Sequence, residues 1–239
     1  MQKILVIFKW ILALTLLVAL LVFTNARQST QRISLNDIII KESADNFVNK
    51  QIVYNYLKDK LVHFDSVLMT DFNKEKLEKM LEAHPGIKDV EVFTSQKGRL
   101  DILIEQKQAI VRVKSDTEDY YLDEFGKKMQ LSDHYISKLV VATGEISTKD
   151  HSGIYKFVKE INKSDFWNAQ ITQIHFEKGD IFLIPRVGNQ KINIGNFENI
   201  VEKLYNLYQF YEVAMPVKGW QTYSDINLKF NNQIVCAKK

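Results

Sequence analysis

The chain has 239 residues, 46% hydrophobic and 26% charged, a composition that excludes an intrinsically disordered protein. Its net charge of +3 sits at the start. Residues 1–32 carry Lys3, Lys9, Arg27 and Arg32 and no acid, and removing those four of the 32 basic side chains leaves 28 against 29 acidic ones, so the body offers no bulk electrostatic case for nucleic acid. Cys236 is the single cysteine, which excludes an intrachain disulfide and a cysteine-based metal cluster.

Ile4 to Phe23 is an apolar run interrupted by charge only at Lys9. At about 1.5 Å of rise per residue, a helix of this length spans the roughly 30 Å hydrocarbon layer of a bilayer. Lys9 lies near one end, where its stem can carry the ammonium to the headgroups, and Trp10 suits the same interface. The run reads as a membrane anchor over 4–23 behind a cytoplasmic tail, 1–3, with residues 24–239 outside the inner membrane. Thr24-Asn25-Ala26 also fits a small-x-small cleavage pattern, so a cleaved leader is the alternative.

Residues 24–32 are polar and read as a linker. Ile33 to Ile40 is β-branched and predicts a strand. Asn49 to Leu61 has apolar residues at helical spacing, and Asp71 is positioned to cap a second helix bearing Leu77, Met80 and Leu81. His84-Pro85-Gly86 stops that helix. Ile87–Thr94 and Leu100–Glu105 alternate as strands about a Gln96-Lys97-Gly98 turn. The order strand, helix, helix, strand, strand predicts two helices on one face of a small sheet.

Further along, strands are expected at Ala109–Val113, Tyr120–Leu122, Lys138–Ala142, Ile171–Phe176, Ile181–Val187 and Lys191–Ile194. Asp123 to Gly126 and Lys178-Gly179-Asp180 are turns, and Pro185 signals a sheet edge or a bulge. Helices are expected at Ile154–Ile161 and Phe197–Val213, the latter with Ile200, Val201, Leu204, Leu207, Tyr208 and Tyr211 on its apolar face. Tyr223 to Phe230 alternates strictly before Asn231-Asn232 turns the chain into Gln233–Cys236. The fold class is α+β, its second half a mainly antiparallel sheet with two packed helices.

The run LEAHPGIKDVEVFTSQKGRLDILIEQKQAIVRV, followed by YYLDEFGKKMQLS, resembles the end of a POTRA domain feeding the β domain of the FtsQ/DivIB bacterial cell-division family. Pro85-x-Ile87, Val90 and Val92, Leu100-x-Ile102, Glu105, and Tyr121-Leu122-Asp123-x-x-Gly126 carry the likeness. So do Gly195…Lys203-Leu204 and Tyr223-x-x-Ile226-x-Leu228-Lys229, while Gly86 and Ala109 stand where an aromatic and a proline are common in the family. The resemblance implies a POTRA-like domain over 33–106 and an FtsQ-type β domain over 107–239. It implies a bitopic scaffold at the division septum that binds FtsB/FtsL-like proteins by strand addition at a C-terminal strand edge. Carried over by position, the partner-binding residues are Tyr223, Ile226, Leu228, Lys229 and Phe230, and Leu228→Asp is expected to weaken capture with the fold intact. The alternative is a POTRA-containing factor of outer-membrane assembly or secretion that handles unfolded strands.

Chemistry is hard to place on this chain. The histidines, His63, His84, His134, His151 and His175, are scattered without metal-ligand spacing. Ser132-Asp133-His134 holds triad residue types, yet neighbours in sequence cannot orient one another as nucleophile, base and orienter. Asp123 with Glu124 is better explained by turn chemistry than as an acid pair. No catalytic, cofactor or metal residues are assigned, and no enzyme is expected. Cys236, Met129 and Met215 read as core filler.

Overall fold

The computed structural model describes residues 2–29, 31–62, 64, 66–230 and 233–239, and within the first helix the side chains of residues 8–23. Met1 of the expected tail, His63 and the Asn231-Asn232 turn lie outside the described residues. The chain divides into two compact units, Met1–Gln106 and Lys107–Lys239.

The first unit opens with α1 (Gln2–Ser29), which runs on past Phe23 through residues expected as linker. Nothing in TNARQS is a helix breaker, so the helix continues until Gln31 and Arg32 are drawn into backbone pairing with Leu68 and Met69. The side chains from Phe8 to Phe23 are exposed. Among the described residues no helix is both long and apolar enough to cross a membrane.

There follow β1 (Ser34–Ile40), α2 (Lys50–Asp59), α3 (Lys74–Glu82), β2 (Ile87–Thr94) and β3 (Arg99–Gln106). The sheet order is β1-β3-β2, with β1 parallel and β2 antiparallel to the central β3. Leu100, Ile102 and Ile104 alternate inward from β3 and are fully buried, as are Val53 and Leu57 of α2 and Leu77 and Leu81 of α3. The cap of α3 is Asn73 rather than Asp71: Asn73 directly precedes the helix in extended backbone, and its side chain accepts the Lys76 N–H at 2.9 Å. Gly86 is explained by space, since a Cβ there would meet Val48 Cγ2 at 2.9 Å and an aromatic would not fit.

The second unit contains β4 (Ala109–Ser115), β5 (Asp119–Asp123), β6 (Lys128–Met129), β7 (Val141–Gly144), α4 (His151–Ile161), α5 (Asp165–Gln170), β8 (Ile171–Glu177), β9 (Asp180–Pro185), β10 (Lys191–Gly195), α6 (Ile200–Lys218), β11 (Tyr223–Asn227) and β12 (Val235–Lys238). Among the described residues these strands form one sheet in the order β12-β11-β10-β9-β8-β7-β4-β5-β6. Most pairs are antiparallel, but β4 with β7, β7 with β8, and β10 with β11 run parallel. Pro185 sits opposite a register shift between Ile171 and Gln173, so it marks a bulge on an internal strand and not an edge.

Helices pack on this sheet through Ile154, Phe157, Val158 and Ile161 of α4, Trp167 of α5, and Leu204, Leu207, Tyr211 and Met215 of α6. The short, aromatic α5 is an addition to the two expected helices. Val201, expected on the buried face of α6, is exposed instead. The inward series 204, 207, 211, 215 is centred roughly 75° around the helix from it, so Val201 falls beyond the margin of the buried face.

Candidate partner-binding edge

The strand carrying Tyr223 and Ile226 is internal. Its residues Asp225, Ile226 and Asn227 pair in parallel with Lys191, Ile192 and Asn193 of β10. On the other side, Tyr223, Asp225, Ile226 and Asn227 pair antiparallel with Lys238, Ala237, Cys236 and Val235 of β12. The expected open edge at 223–230 is therefore corrected to β12, the outermost strand. Strict alternation marks one buried face, but it does not say which strands lie alongside.

The expected contact residues divide accordingly. Ile226 and Leu228 are 0% and 4% exposed and belong to the core. A carboxylate at Leu228 would be buried without a partner, so Leu228→Asp attacks the fold itself. Tyr223 is half-buried, its ring 5.7 Å from that of Phe210. Lys229 and Phe230 are exposed. Lys229 already has an intramolecular partner, its Nζ lying 2.8 Å from Asp180 Oδ2.

Asp180 also accepts the Asn193 side-chain N–H at 2.9 Å. The hydrogen bond from Lys229, and then that from Asn193, hold its carboxyl below the usual aspartate range. Gly195 lets the lysine stem pass: at φ +67° it takes a left-handed conformation, and a Cβ there would meet Lys229 Cγ at 2.8 Å. Next to it, Lys203 of α6 donates to the carbonyls of Ile194 (2.7 Å) and Asn196 (3.0 Å) and to Asn196 Oδ1 (3.2 Å). Burial pushes this ammonium's pKa down. The spacing of Gly195 and Lys203-Leu204 thus ties the end of β10 to the first turns of α6. Asp180 and Asn193 were not singled out in the sequence, and only their place beside turns hinted at them.

The margin itself is short. The Lys239 N–H donates inward to the Thr222 carbonyl at 3.2 Å. Backbone N–H groups alternate along a strand, so those of Ala237 and Val235 also point to β11, and those of Cys236 and Lys238 point out of the sheet. Val235, Ala237 and Lys238 are exposed, while Cys236 lies half-buried against the core. Burial pushes its thiol pKa up, away from thiolate chemistry. The opposite margin, β6, is only two residues long.

The candidates for chemistry resolve into turns. Ser132 Oγ accepts the His134 N–H at 3.3 Å. Asp123 Oδ1 accepts the N–H groups of Phe125 (3.0 Å) and Lys127 (2.8 Å), and Glu124 Oε2 accepts that of Gln108 (2.9 Å). Among the described residues no group of three His, Cys, Asp or Glu side chains could hold a metal ion.

Comparison with known proteins adds three findings. Residues 108–237 match the family described as FtsQ/DivIB, C-terminal related, and residues 34–105 match the POTRA-like domain. No curated protein matches the chain. Among solved structures, it is similar to the major extracytoplasmic domain of the trans isomer of the bacterial cell division protein DivIB from Geobacillus stearothermophilus, at 12% identity and a TM-score of 0.34, over 46% of this chain and 96% of that one.

Proposed function

This chain belongs to the FtsQ/DivIB C-terminal related family, and from that premise we propose that it is a non-catalytic scaffold of the bacterial division machinery, tethered to the inner membrane by α1. The observation that carries the binding half of this reading is the open backbone of β12 at the end of a long sheet. An incoming extended segment gains main-chain hydrogen bonds there from the outward N–H groups of Cys236 and Lys238. The exposed side chains of Val235 and Lys238 can read its sequence. The partner is an FtsB/FtsL-like division protein.

The anchor rests on α1. Its side chains from Phe8 to Phe23 are exposed and almost wholly apolar all round, a surface that water does not favour and a bilayer does. With residues 4–7, whose side chains lie outside the description, the apolar stretch reaches the length a bilayer requires. The two globular units would then stand on the extracytoplasmic side, at the septum.

Lys238→Pro tests the edge. It deletes an outward donor and leaves the inward hydrogen bonds of β12 in place. Pull-down of an FtsB-like extracytoplasmic segment should fall sharply while the melting temperature is unchanged; undiminished recovery would refute strand addition at β12. Depletion of the protein followed by microscopy tests the wider reading, which requires filaments without septa.

A further inference from the structure

The first unit holds a cavity of about 820 Å³ at the end where the chain leaves α1. Arg32 and Leu35 line it from the chain entering β1, Tyr54, Leu57 and Lys58 from α2, and Phe64 from the loop after α2. Backbone hydrogen bonds fix these walls. The Ile33 N–H donates to the Val67 carbonyl at 3.0 Å, and the Met69 N–H to that of Gln31 at 2.9 Å. Leu57 is buried and Leu35 and Phe64 half-buried, an apolar floor, whereas Arg32, Tyr54 and Lys58 are exposed at the rim. Among the described residues no carboxylate lines the cavity, and neither Arg32 nor Lys58 has a side-chain hydrogen bond or ion pair. By contrast, Lys41 and Lys88 share Glu105, at 3.1 Å and 2.6 Å, and Lys50 holds Asp37 at 2.6 Å.

Two uncompensated cations over an apolar floor fit a ligand that is anionic at one end and apolar at the other. The place of the cavity in the chain points to the source of such a ligand. Arg32 follows Ser29, the end of α1, by three residues and Phe23, the end of the apolar run, by nine. Six helical residues and three extended ones span at most about 20 Å, of which the headgroup layer itself takes up about 5–8 Å. We propose that the cavity takes the phosphate-bearing headgroup of an anionic phospholipid from the leaflet where α1 leaves the bilayer. This contact sets how the first unit stands on the membrane. The Arg32 guanidinium binds the phosphate through two N–H groups, and Lys58 acts as a point charge. The glycerol and the first acyl methylenes lie over Leu35, Leu57 and Phe64, and the Tyr54 ring suits the same interface. A bare phosphate ion would fill only a small part of the volume and leave that floor unused. Two cations are too few to hold the unit on a bilayer alone, so the site rests on α1 as the anchor.

Full-length protein carrying Tyr54→p-benzoylphenylalanine is placed in nanodiscs of phosphatidylcholine and phosphatidylglycerol in equal amounts and irradiated, and lipid adducts are read by mass spectrometry. Phosphatidylglycerol should be captured several-fold over phosphatidylcholine. The same photoreactive group at Glu82 should show no such preference. Glu82 is exposed at the end of α3 that leads to Ile87, which pairs with Gln106 at the far end of β3 from Arg99. Arg32→Ala with Lys58→Ala should lower phosphatidylglycerol capture at position 54 about tenfold or more, with the melting temperature unchanged. Capture without lipid preference, or indifferent to the double alanine variant, would overturn the proposal. Excess soluble glycerol phosphate should leave the lipid adduct in place; its loss would make this a site for free phosphate esters and overturn the lipid assignment. Entry into the discs reports on α1 separately. A chain that stays outside them refutes the anchor and this site with it, whereas one that enters without lipid preference at position 54 refutes the site alone.

Discussion

Lys203 shows how a single side chain can decide local geometry. Its ammonium holds two main-chain carbonyls and an amide oxygen at the end of β10, and a methionine there would keep the stem but leave those acceptors unpaired. Lys203→Met should cost about 1–3 kcal/mol, measured by chemical denaturation. Asp123 is comparable: it is buried and accepts two backbone N–H groups. The Tyr120 hydroxyl meets His151 Nε2, and burial first of all lowers the His151 pKa below 6.5. The folded state therefore binds fewer protons at this site than the unfolded chain. Its contribution is complete above the unfolded pKa and is lost as pH falls from about 6.5 through the folded value. The melting temperature should decline between pH 7 and 5, and His151→Gln should flatten part of that slope. An unaltered slope would remove His151 as a cause.

Elements behave differently from residues because a strand's meaning depends on its neighbours. β11 and β12 are adjacent in sequence, yet opposite outcomes follow from changing them. Leu228→Asp, just past β11, should unfold or severely destabilise the second unit, by about 3 kcal/mol or more, since it buries an unpaired carboxylate. Circular dichroism melting would decide this. Lys238→Pro should spare stability and strike only the outward face. The strand Tyr223–Asn227 and its buried residues were legible in the sequence, because side-chain alternation writes the buried face directly into the residue order. Its interior position was not legible, since pairing with Lys191–Asn193 brings together segments separated by the whole of α6. The same limit applied at one position of α6: spacing placed Leu204, Leu207 and Tyr211 correctly on its buried face, but Val201, set on that face too, is left exposed by the sheet.

At the scale of the whole molecule, the two units each bury their own hydrophobic residues, the first around Leu100, Ile102 and Ile104 and the second around the α4–α6 face of the long sheet. Residues 107–239 should therefore fold cooperatively when produced alone, with dispersed amide resonances in an NMR spectrum. A chain beginning at Gln31 should leave the membrane fraction on sedimentation, whereas the full chain should remain in it. Persistent sedimentation of the shortened form would place membrane affinity elsewhere.

Sequence by itself determined the α+β class, the apolar N-terminal stretch, most strands and helices, and the family, because periodicity, turn residues and motif order are local properties of the chain. Tertiary structure alone decided which strand ends the sheet, that Lys229 is engaged by Asp180, and that Val201 of α6 is left exposed. Those outcomes depend on register and on which distant segments lie side by side, and no local pattern of residues encodes them.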